Sequence, residues 1–163
     1  MRGLLALDLG STSFRSLLVR PGLPKILSSS TLPPARRCGL RVTHDPKDLC
    51  LRVRRLMGAW NGSLAMATQR SSFLLWETSI LEPVTELISW QDTRAAGWCS
   101  SRREAEPWVR SRTGLVLSPH YLGPKLAALW IERPDLRAKA VQGQLHLGTL
   151  DTFITAMISG GRS

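Results

Sequence analysis

Residues 4 to 19 read LLALDLGSTSFRSLLV, and the order of residue types in this stretch decides the fold. An apolar run ends on Asp8, Gly10-Ser11-Thr12-Ser13 follows, and a second alternating segment returns from Phe14. Period-two alternation places successive side chains on opposite faces of a sheet. A short run of Gly and hydroxyl residues supplies the turn. The stretch therefore predicts two antiparallel strands, 4–8 and 14–19, joined by a turn at residues 10–13. It also sets a carboxylate at a strand end beside small residues that let backbone N–H groups approach a ligand. Such a turn suits phosphate oxygens, and the carboxylate suits a hard divalent cation. Hairpins without any such task use the same residue types, so the rest of the chain has to decide.

Outward from the hairpin, Pro21-Gly22 marks a turn, and Lys25 to Thr31 predicts a third strand that Pro33-Pro34 ends. In THDPKDLCLRVRRLMGAWNG, Asp45 is a good helix N-cap and Pro46 suits the first helical position. Leu49, Val53, Leu56, Met57 and Trp60 recur on one face, and Asn61-Gly62 is the expected end. SLAMA (63–67) predicts a short buried strand, and SFLLWE (72–77) and ELISW (86–90) predict two more around a Glu82-Pro83 turn. Residues 92–106 are expected to be helical. Gly123-Pro124 starts a helix carrying Leu126, Leu129 and Trp130, which Pro134 stops. Thr149 is placed to cap a last helix with Leu150, Phe153, Ile154, Met157 and Ile158 on one face, ended by Gly160-Gly161. Three strands, a helix, a strand, an inserted strand pair and further helices make an α/β pattern with a mixed sheet. That order fits an RNase H-like or actin-like core.

The 163 residues give room for one domain, and 43% hydrophobic with 21% charged residues is a globular composition. No apolar run nears the roughly 18 residues of a membrane span, and Asp8 cuts the N-terminal run too short for a signal peptide. A cytoplasmic location without membrane partners is the expectation. Cys38, Cys50 and Cys99 are odd in number and lack a C-x-x-C pair, so neither a disulfide framework nor a zinc site is predicted. His44, His120 and His146 lack metal-binding spacing. The formal charge of +10 raises nucleic-acid binding, but the 18 arginines and 4 lysines are scattered without aromatic interleaving. A solvated basic surface with no nucleic-acid partner is expected.

Six segments, in order, carry a family resemblance. LLALDLGSTSFRSLLV resembles the first phosphate-binding hairpin of the FGGY carbohydrate kinases, and VTHDPKDL resembles that family's helix start. ATQRSSFLLWE resembles its N-Q-R-E-[ST] segment, and LISWQDTRAA its V-W-Q-D-x-R segment. RTGLVLSPHYLGPKLAALW resembles T-G-L-x-x-S-P-Y-F-x-x-x-K, and HLGTLDTFITAMISGG resembles G-T-x-D-T-[WF]-L-x-x-x-L-T-G-G. The resemblance identifies residues 1–163 as a partial N-terminal domain of such a kinase, a truncated actin-like α/β core with flanking helices.

The resemblance implies ATP-dependent phosphorylation of a sugar or polyol hydroxyl, with Mg2+ as the metal. Asp8 matches the Mg-associated aspartate, Gly10, Ser11, Thr12 and Ser13 the phosphate turn, and Arg15 the arginine just beyond it. Gln69 and Arg70 match Q-R, whose arginine hydrogen-bonds substrate hydroxyls, and Trp90 matches the tryptophan that walls the apolar side of the polyol. Gln91, Asp92 and Arg94 either complete the site or brace the strand end and following helix. Ser71 stands where the family has a glutamate, and His120, followed by Tyr121, where glycerol kinases have tyrosine. A serine binds a diol less strongly than a carboxylate. A sugar or polyol substrate survives these changes, while the glycerol pocket is not reproduced. The family's base aspartate and its nucleotide-binding C-terminal domain follow the last matched segment. The expectation is therefore a chain inactive alone, one that self-associates or needs a completing C-terminal chain. A non-catalytic remnant or interaction module with the kinase fold is the alternative.

Overall fold

The computed structural model describes residues 3–22 and 24–161. In chain order the elements are β1 (Leu4–Leu9), β2 (Ser13–Val19), β3 (Lys25–Thr31), β4 (Arg36–Cys38), β5 (Arg41–His44) and α1 (Pro46–Met57). Then come β6 (Leu64–Thr68), β7 (Phe73–Glu77), β8 (Leu87–Ile88), α2 (Ala96–Ser100) and α3 (Glu106–Thr113). The order ends with α4 (Leu122–Glu132), α5 (Pro134–Val141), β9 (Leu145–Thr149) and α6 (Leu150–Ser159).

The opening hairpin forms as expected. β1 and β2 pair antiparallel from Leu4↔Val19 to Leu9↔Phe14, and β3 adds to β2 with one register irregularity at Ser16/Leu17. β6 returns parallel to β1, which gives the mixed sheet β3-β2-β1-β6. Antiparallel neighbours need only a turn, while the parallel return requires a crossover, supplied here by the segment containing α1. Alternation along β1 sends Leu5, Leu7 and Leu9 into the core with Phe14, Leu49, Val53, Leu56, Phe153 and Ile154. Asp8 is left on the opposite, exposed face.

A second sheet, β4-β5-β8-β7-β9, is antiparallel throughout and stands beyond the mixed sheet the sequence predicts. β7 is its pivot, because both of its faces are buried. Leu74 and Trp76 join the core beneath the first sheet, while Phe73 and Leu75 pack with Ile88, Leu129, Leu136 and Leu145 under α4 and α5. Burial on both faces explains the continuous apolar run FLLW, a pattern usual in central strands.

Several local expectations are corrected. α1 stops at Met57 with Gly58 at its C-cap, so Trp60 lies beyond the helix and donates from Nε1 to Ser63 O. Gly58, with φ of 53°, ends the helix before Asn61-Gly62 because a positive φ costs glycine little. β6 is not a buried strand: Ala65 and Ala67 are exposed, and among the described residues it pairs only with β1. β8 is reduced to Leu87–Ile88. Residues 92–106 hold the short α2, a 3-10 turn at Arg103–Ala105 and the start of α3 rather than one helix. α4 begins at Leu122, and Pro134 opens α5 at its first position as well as following the end of α4. At α1 the Asp45 carboxylate caps the N–H groups of Lys47 and Asp48 at 2.9 and 3.4 Å. At α6, Thr149 is the N-cap residue but its side chain caps no backbone N–H.

Candidate functional site

Three separated segments converge on one cleft of about 650 Å³, lined by Thr68, Gln69, Arg70, Ser71, Trp90, Leu115, His120 and Tyr121. Residues 68–71 join β6 to β7, Trp90 follows β8, and residues 115–121 precede α4. Gln69, Arg70, Ser71, Trp90, His120 and Tyr121, each singled out in the sequence, all face this space.

The walls are tied by side-chain bonds. The Trp90 N–H donates to Ser72 Oγ at 2.8 Å, and that hydroxyl donates onward to Gln69 Oε1 at 3.0 Å. Gln69 Nε2 is left buried without a partner among the described residues. His120 Nδ1 lies 3.2 Å from Trp90 O. A carbonyl only accepts, so Nδ1 carries a proton, and in the neutral ring Nε2 is the acceptor. Ser71 holds a φ of 61°, a left-handed conformation uncommon outside glycine and enriched at functional sites. Arg70 is exposed, and among the described residues no carboxylate pairs with it. The cleft therefore offers an arginine, a hydroxyl, an imidazole acceptor, a phenol and an indole face, with no carboxylate among its lining residues. That set suits a molecule rich in hydroxyls.

The turn between β1 and β2 is tight: Gly10 N–H donates to Ser13 O at 3.1 Å, and a Cβ on Gly10 would sit 3.1 Å from the same oxygen. Asp8 stands opposite Arg15 across the hairpin, 3.9 Å from it, with both side chains about half exposed. Asp8, Gly10, Ser11, Thr12, Ser13 and Arg15 do not line the cleft. The two regions meet through the sheet, where Gln69 N–H donates to Leu9 O at 3.2 Å.

Asp92 takes the bracing role. Fully buried, it accepts from Val42 N–H at 2.7 Å, from Arg94 N–H at 3.0 Å, and from Arg94 Nε and a terminal guanidinium nitrogen, both at 2.9 Å. Burial alone would raise its pKa; Arg94 and the two backbone N–H groups outweigh that and hold it below the usual carboxylate range. Gln91 reaches away from the cleft and accepts from Arg37 at 2.7 Å.

Sequence reading gave no role to Lys125, which is fully buried and donates to Ser71 O at 2.7 Å and Ser89 O at 2.8 Å. Burial pushes its ammonium down to about 8; Asp92 opposes the shift and Arg94 adds to it. The available signals were its place as the lysine ending the T-G-L-x-x-S-P-Y-F-x-x-x-K resemblance and its spacing: Leu122, Lys125 and Leu129 follow core periodicity on a mostly apolar helix.

Comparison with known proteins covers almost the whole chain. Residues 4–162 match the profile of the FGGY family of carbohydrate kinases, N-terminal domain. The glycerol kinase of Methylobacterium nodulans is 36% identical over 174 residues, covering 99% of this chain and 35% of that protein. The glycerol kinase of Cereibacter sphaeroides (strain ATCC 17025) is 34% identical, covering 100% and 36%. The chain thus spans about a third of the length of the curated relatives it matches. Among solved structures, Plasmodium falciparum glycerol kinase with ADP superposes with a TM-score of 0.82 at 19% identity, over 96% of this chain and 34% of that one. A ligand-bound xylulose kinase from Lactobacillus acidophilus gives 0.75 at 19% identity, over 96% and 33%.

Proposed function

The chain belongs to the FGGY family of carbohydrate kinases through its N-terminal domain, and from that premise we propose that it is the substrate-holding portion of an ATP-dependent sugar or polyol kinase. The observation that carries this reading is the convergence of residues 69–71, 90 and 120–121 on one hydroxyl-matched cleft. Arg70 donates charge-assisted hydrogen bonds to substrate hydroxyls, and Ser71 exchanges one with a neighbouring hydroxyl. Trp90 covers the C–H face of the carbon chain. His120 accepts a hydrogen bond from a substrate hydroxyl at Nε2, its other nitrogen being committed to Trp90 O. Tyr121 closes the side nearest α4.

The exposed Asp8 carboxylate and the hydroxyls of Ser11, Thr12 and Ser13 form an all-oxygen donor set beside a turn closed at Gly10. One carboxylate plus phosphate and water oxygens suits Mg2+, so these residues and Arg15 would hold Mg–ATP. When bound, Mg–ATP supplies the phosphoryl group and the metal neutralises the charge that develops on it. The chain's own residues orient the accepting hydroxyl. With no carboxylate lining the cleft, a general base comes from outside these residues, and this chain alone does not turn over. The open edge of β6 is the place where a completing chain or a second copy would pair.

The test is calorimetric titration of the chain with glycerol, D-xylulose and gluconate, before and after Arg70→Ala. At least one should bind. Losing charge-assisted bonds should weaken it by about 1.5–3 kcal/mol. No binding of any of the three, or an unchanged affinity in Arg70→Ala, would overturn the reading. ADP release from Mg–ATP and the bound compound would overturn the claim that the chain is inactive alone.

A further inference from the structure

β7 and β8 share one ladder position, Phe73↔Ile88. Past it, no further ladder position joins the two segments among the described residues: one carries Ser71 and Arg70, the other Ser89 and Trp90. Strand pairing therefore does not set the distance between these walls. The gap is spanned by Ser72, whose hydroxyl accepts the Trp90 N–H, and by Lys125, whose Nζ donates to the carbonyls of Ser71 and Ser89. Lys125 rises from the first turn of α4, directly after His120 and Tyr121. Its Nζ thus joins two of the cleft-lining segments to the helix that follows the third. With no exposed surface it cannot touch a ligand in the cleft.

We propose that Lys125 is a positioning residue that fixes the separation between the Arg70–Ser71 wall and Trp90, and through that separation selects the length of polyol the cleft accepts. This rests on the reading of the cleft as a sugar or polyol site. Two carbonyl acceptors need two donors in one place. Neutral and charged amines both provide them, so the clamp survives deprotonation of the lysine. An aliphatic residue would fill the volume but leave the Ser71 carbonyl without its Lys125 donor and the Ser89 carbonyl with the Asp92 N–H at 3.1 Å. The αL turn at Ser71 is maintained only while its surroundings over-determine it, and the Lys125 bond to that residue's carbonyl is one such restraint.

The test compares wild-type chain with Lys125→Met in two measurements. Titration with glycerol and with xylitol gives the ratio of their Kd values. The variant should bind the preferred polyol roughly tenfold more weakly and shift the ratio toward the other, since misplacement of about 1 Å is costly in a fitted site. A purely destabilising change would leave the ratio unmoved, and an unmoved ratio overturns the proposal. Amide hydrogen exchange is the second measurement: residues 71–72 and 89–91 should lose protection together, roughly tenfold, while β1 and β2 keep theirs. Unchanged protection there overturns the clamp whether or not a polyol binds. Failure of the wild-type chain to bind either polyol counts against the site reading, and exchange still decides the clamp. Where Lys125→Met does not fold, Lys125→Arg keeps the charge and displaces the donors. Its ratio and exchange should move in the same directions, and wild-type values for both would overturn the proposal.

Discussion

Replacing Asp92 by alanine removes the acceptor of four hydrogen bonds in one step. The Arg94 side chain, 7% exposed, then loses its fully buried counter-ion and keeps, among the described residues, only Glu132 at 3.9 Å. The Val42 N–H loses its partner as well. Stripping one member from a buried pair costs about 3–5 kcal/mol, most of it the penalty of the charge left behind. The Val42 amide overlaps with that figure, because neighbouring losses do not add. For a chain of this size the melting temperature should fall by about 10 °C, within a span of roughly 6–20 °C. The assay is urea and thermal unfolding of wild type and Asp92→Ala followed by circular dichroism. The folded-state pKa of Asp92 is lowered, so its stabilisation is present above the ordinary carboxylate value of about 3.9 and is lost as pH falls through the folded value. The gap between the two proteins should therefore narrow as pH is taken from 7 toward 3. A loss below about 1 kcal/mol at pH 7, or a gap independent of pH, would refute the reasoning.

Other perturbations follow from the same packing. Gly148→Ala would put a Cβ 2.5 Å from the buried Trp76 ring and 3.0 Å from the Thr152 side chain; overpacking of this kind should cost about 1–3 kcal/mol in urea unfolding, and wild-type stability would contradict the β7–β9 contact. Burial pushes the Cys50 thiol up to about 11 and also raises Cys99, while Cys38 is exposed. Maleimide at neutral pH should label Cys38 first and reach Cys50 only on unfolding; rapid labelling of Cys50 in native buffer would show that the face of α1 carrying it is not packed against the core.

How far sequence carries depends on where each constraint acts. The first hairpin, its extension by β3 and the capped start of α1 were legible because turn chemistry, alternation and an Asp-Pro cap act over a few residues. The residues of the cleft were legible only as three separate segments, since nothing in the chain before folding shows that Ser71, Trp90 and His120 share a space. β4 and β5 were invisible: Arg36–Cys38 is exposed throughout, and its pairing has no apolar pattern to announce it. β9 lies against β7, joining residues 73–77 to residues 145–149, a distance over which no local propensity reports.

The sequence by itself determined the mixed-sheet hairpin core, the family, and which residue types the site would use, because each rests on short-range chemistry or on matched segments. Tertiary structure alone decided that Asp92 is a buried brace, that the turn at residues 10–13 stands outside the cleft, and that Lys125 bonds the carbonyls of Ser71 and Ser89. The physical reason is the same for all three: burial and the partners that satisfy it exist only once distant segments have packed.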